Sequence, residues 1–75
     1  MKLQQNLDIQ DFLRSVDTCS GDVYFKTKEH DCLNLKSTLT RFVFTTFLES
    51  PDLLYESEVE CTDRDDYQRL ADFLH

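Results

Sequence analysis

The side chains able to do chemistry are few in this 75-residue chain, and they are scattered. His30, Asp31 and Cys32 stand side by side and offer an imidazole, a carboxylate and a thiol, the donor types that hold zinc. Neighbours on a strand or tight turn point in different directions, and a metal site needs further ligands at a defined spacing such as C-x-x-C. The sequence supplies none, so neither metal nor other cofactor is expected. Glu58 and Glu60 are two residues apart, the spacing that puts two carboxylates on one strand face, as an acid/base pair would need. Acids alternating along a strand also make a solvated face that discourages edge-to-edge association, and that is the reading adopted here. There is no Gly-rich phosphate loop, nucleophile elbow or Ser/His/Asp arrangement, so no catalytic residue is assigned and the chain is not expected to be an enzyme.

Ser37 offers different chemistry. A hydroxyl just before a helix accepts a hydrogen bond from one of the free N–H groups that open it. A phosphate on the same oxygen would meet those N–H groups and the positive end of the helix dipole, with Lys36 alongside. Ser37 is therefore a helix cap and a candidate site of regulatory phosphorylation.

The elements that position these residues follow from periodicity. Asp8 suits the N-cap of a first helix whose inner stripe is Ile9, Phe12, Leu13 and Val16, with Leu7 and Phe12 placed as a hydrophobic staple. Gly21, the single glycine, stands where a left-handed helix terminus is wanted. Val23, Phe25 and Thr27 alternate with Tyr24, Lys26 and Lys28, and Leu33 and Leu35 resume the pattern after the polar turn Glu29-His30-Asp31. This predicts a β-hairpin. Leu39, Phe42, Val43, Thr46 and Phe47 recur at helical spacing and predict a second helix, which must end before Pro51. Tyr55, Ser57, Val59 and Cys61 alternate with three glutamates and predict a third strand over residues 54–61. Thr62 suits the N-cap of a last helix striped by Tyr67, Leu70, Ala71 and Leu74. The predicted fold class is α+β, one domain over residues 1–75, a three-stranded antiparallel sheet packed against three helices in the order α-β-β-α-β-α.

Composition limits the partners. Fifteen acids against eight bases give a net charge of −7, and residues 49–66 hold eight of the acids with Arg64 as the only base. Nucleic acid is not an expected partner, because phosphate contacts need a basic patch. No stretch reaches the ~20 apolar residues of a membrane span. Three widely spaced cysteines and an N-terminus without the apolar core of a signal peptide point to a reduced, cytoplasmic chain.

Asp22-Val23-Tyr24-Phe25 and Asn34-Leu35-Lys36-Ser37, in this order around a hairpin and before a helix, resemble the bacterial histidine-containing phosphocarrier family, HPr, of the sugar phosphotransferase system. The likeness in element order runs from about Asp8 to Leu74. It implies an open-faced sandwich and a match of Ser37 to the serine that many members carry as a regulatory phosphorylation site. It also implies partner docking on the outer side of the second helix, at Thr38, Leu39 and Phe42. The family's first strand and its active-site loop, with the phosphorylated histidine and a nearby arginine, are missing; the two histidines here are His30 and His75. The resemblance thus implies a protein-interaction or regulatory module without phosphocarrier activity. Two alternatives stand beside it: a phosphocarrier that uses His30, and a homodimeric structural subunit. Without the family's first strand the third strand would be an open edge, and Tyr55, Ser57 and Val59 are the residues expected to form a dimer contact there.

Overall fold

Asp8 opens the first helix as expected, its carboxylate accepting the N–H groups of Gln10 at 2.9 Å and Asp11 at 3.2 Å. The computed structural model describes residues 1–75. Helix α1 spans Ile9–Asp17 and buries Phe12, Leu13 and Val16, the inner stripe read from the sequence, with Ile9 half-buried beside them. It ends at Thr18 with ordinary right-handed geometry. Gly21 does not have a positive φ, so it is not the left-handed cap expected. Its role is spatial: a Cβ there would lie 2.4 Å from Thr62 Oγ1.

Strands β1 (Val23–Lys26) and β2 (Cys32–Asn34) form the predicted hairpin, with Phe25 opposite Leu33. Thr27 ties the turn: its N–H donates to Asp31 O, and its hydroxyl oxygen accepts the N–H groups of Glu29 and Asp31. His30 takes a positive φ of 72° there. Leu35 continues past β2, donating its N–H to Val23 O at 2.8 Å, and its side chain is fully buried.

Helix α2 (Thr38–Thr46) begins at the predicted Ser37 cap, whose hydroxyl accepts the N–H of Thr40 at 3.4 Å. Its inward face differs from the expected stripe. Phe44 alone is buried, while Leu39, Phe42, Val43 and Thr46 face out and Phe47 is half-buried. Arg41 takes an inner position: its Nε–H donates to Leu35 O at 2.6 Å and its guanidinium grips the Asp17 carboxylate. On the same helix Phe44 enters the core, where its ring meets Phe25 edge-on at 5.0 Å and Phe12 at 6.2 Å.

A short 3-10 turn (Phe47–Glu49) leads to a fourth helical element that the sequence reading lacked. Residues 51–56 form helix α3 (Pro51–Glu56), with proline in the first turn, where its missing N–H has no cost. Tyr55 therefore lies on a helix, and the third strand β3 is only Glu58–Cys61. Ser57, between them, is buried and donates its hydroxyl to Leu53 O. The sheet order is β2-β1-β3, antiparallel throughout, with Val59 opposite Phe25. The last helix α4 (Asp66–Arg69) starts later than expected. Thr62 does not cap it; its hydroxyl accepts the N–H of Asp22 at 2.8 Å instead. A 3-10 turn (Ala71–Phe73) follows. The chain is thus α+β with a three-stranded antiparallel sheet, as expected, but with four helices rather than three.

Candidate functional site

Most of the chemically capable residues are occupied by structural contacts. Glu60 pairs with Lys26 at 2.8 Å across β1 and β3, and Glu56 pairs with Lys28. Glu58 binds the terminal ammonium of Met1 at 2.8 Å. His30, Asp31 and Cys32 are all exposed, and no group of three His, Cys, Asp or Glu side chains is arranged to hold a metal ion. Burial pushes the Cys61 thiol up to about 11 and raises that of buried Cys19, so neither is a ready thiolate near neutral pH.

The expected free edge of β3 is taken up within the chain. Val59 donates its N–H to Met1 O at 2.6 Å, and Cys61 donates its N–H to the Tyr67 hydroxyl at 3.0 Å. Residues 2–4 also form a short antiparallel bridge with residues 73–75, with Leu3 fully buried beneath it. Tyr55, Ser57 and Val59 are accordingly half-buried, buried and buried, and they do not share an exposed strand edge.

What remains open is the outer side of α2. Leu39 is 75% exposed and Phe42 68% exposed, with Val43 and Leu48 each close to half exposed. Helix propensity does not demand this. Phe44 and Phe47 already pack against Phe25, and Arg41 is held by Leu35 O, so the remaining apolar side chains of the helix face outward. Thr38 is exposed at the start of the same face. The three docking residues expected from the sequence, Thr38, Leu39 and Phe42, are therefore presented together near one end of α2. Val43, one of the apolar residues at helical spacing on α2, adds to the same surface.

Beside this face lies a shallow groove of about 240 Å³ between α1 and α2. Leu13, Arg14 and Asp17 line it from α1, and Thr38, Arg41 and Phe42 from α2. The Arg41 guanidinium holds the Asp17 carboxyl below its ordinary value, so both charges in the groove floor are satisfied by each other. The other surface depressions are lined mainly by polar and charged side chains, around Lys28 and Asp52 on one side and Lys2, Glu56 and His75 on another. Ser37 sits half-buried at the end of the α2 face, next to Lys36, whose Nζ donates to Cys19 O. Compared with protein-family models, with curated proteins and with solved structures, the chain has no match.

Proposed function

We propose that this chain is an HPr-like protein-interaction or regulatory module that works by docking, without phosphocarrier chemistry of its own. The observation that carries the docking reading is the exposed Leu39–Phe42–Val43 surface of α2 beside the α1/α2 groove. Apolar side chains this exposed and this close together are the usual mark of a binding surface on a small domain. The HPr-like reading draws on the Asn34-Leu35-Lys36-Ser37 segment leading into a Ser37-capped α2. It draws also on the N-terminal residues lying against β3, the side where the family's first strand pairs.

Phosphocarrier activity at His30 has little to support it. The imidazole lies in an exposed hairpin turn, and no helix begins at that turn. Phosphorylation of Ser37 is the regulatory element of the proposal: the added charge would fall at the mouth of the docking face, on the N–H groups that open α2.

The test is capture from an extract of the source cells on immobilised chain, with the Phe42→Glu variant as control and retained proteins identified by mass spectrometry. A protein held by the natural chain and released by Phe42→Glu supports the docking surface. Identical retention by both overturns it. Incubation with the upstream phosphotransferase enzyme and phosphoenolpyruvate should leave no acid-labile phosphate on the chain.

A further inference from the structure

We draw no further inference here: the strongest candidate, the exposed apolar outer face of α2 at Leu39, Phe42 and Val43, carries nothing beyond the docking reading above, because nothing in the structure shows what covers it.

Discussion

Asp66 has no exposed surface, and its two carboxylate oxygens accept the N–H groups of Ser20 at 2.9 Å and Gly21 at 2.8 Å. The Gly21 bond is the largest cause holding its carboxyl below the ordinary 3.8, and the Ser20 bond and the Arg69 charge add to it against the cost of burial. A carboxyl with a depressed native value contributes stability that is complete above the unfolded value and is lost as pH falls through the native one. Asp66→Asn should therefore lower the melting temperature at pH 7 by on the order of 10 °C and flatten the loss of stability below about pH 4, as read by thermal melts across pH 2–7. If the mutant retains the natural chain's acid limb, other carboxylates produce that limb. The neighbouring Gly21 is constrained by space alone, its absent Cβ being 2.4 Å from Thr62 Oγ1. Gly21→Ala should cost about 1–3 kcal/mol in urea denaturation, because Thr62 cannot retreat without releasing the Asp22 N–H it holds.

At the scale of elements, α2 shows what a hydrophobic pattern can and cannot say. Its nine residues offer more apolar positions than one buried face can take, and pattern counting alone does not weigh a polar side chain with a place to go. Arg41 finds Leu35 O and Asp17, while Leu39 and Phe42 are exposed on the same helix. Arg41→Met should remove the fork and lower the urea midpoint, and if the arginine orients the helix it should change the environment of Phe42. Urea denaturation and the amide and ring resonances of residues 38–46 check both outcomes; unchanged resonances would mean that packing of Phe44, not the arginine, orients the helix. The hairpin, α1 and the Ser37 cap were legible in the sequence because each rests on local signals: alternation, the Asp8 cap and a hydroxyl before a helix. α3 was not, because Tyr55, Ser57 and Val59 happen to alternate with glutamates and masked a helix that Pro51 starts. Thr62 and Gly21 were misread for another reason. Each acts on a partner some forty residues away, where periodicity carries no information.

Over the whole molecule, thirteen buried apolar residues form one core, and the N-terminal segment is part of it. Leu3 is completely buried, bridged to Leu74, and the neighbouring backbone closes the ladder through Lys2, Gln4, Phe73 and His75. A domain of this length is stable by ~4–11 kcal/mol, taking the usual 0.05–0.15 kcal/mol per residue. Leu3→Ala, at the usual ~2–5 kcal/mol for a core leucine, should therefore remove a large share of that margin. The effect should also reach the sheet, because Val59 N–H is paired only through Met1. In the natural chain the Val59 amide should exchange with solvent about as slowly as that of its cross-strand neighbour Phe25. In Leu3→Ala it should speed up first, as the segment lifts away and β3 becomes the open edge that the sequence alone had implied. Fast exchange of Val59 in the natural chain would show instead that residues 1–4 open independently of the core, and that the edge of β3 is exposed for part of the time.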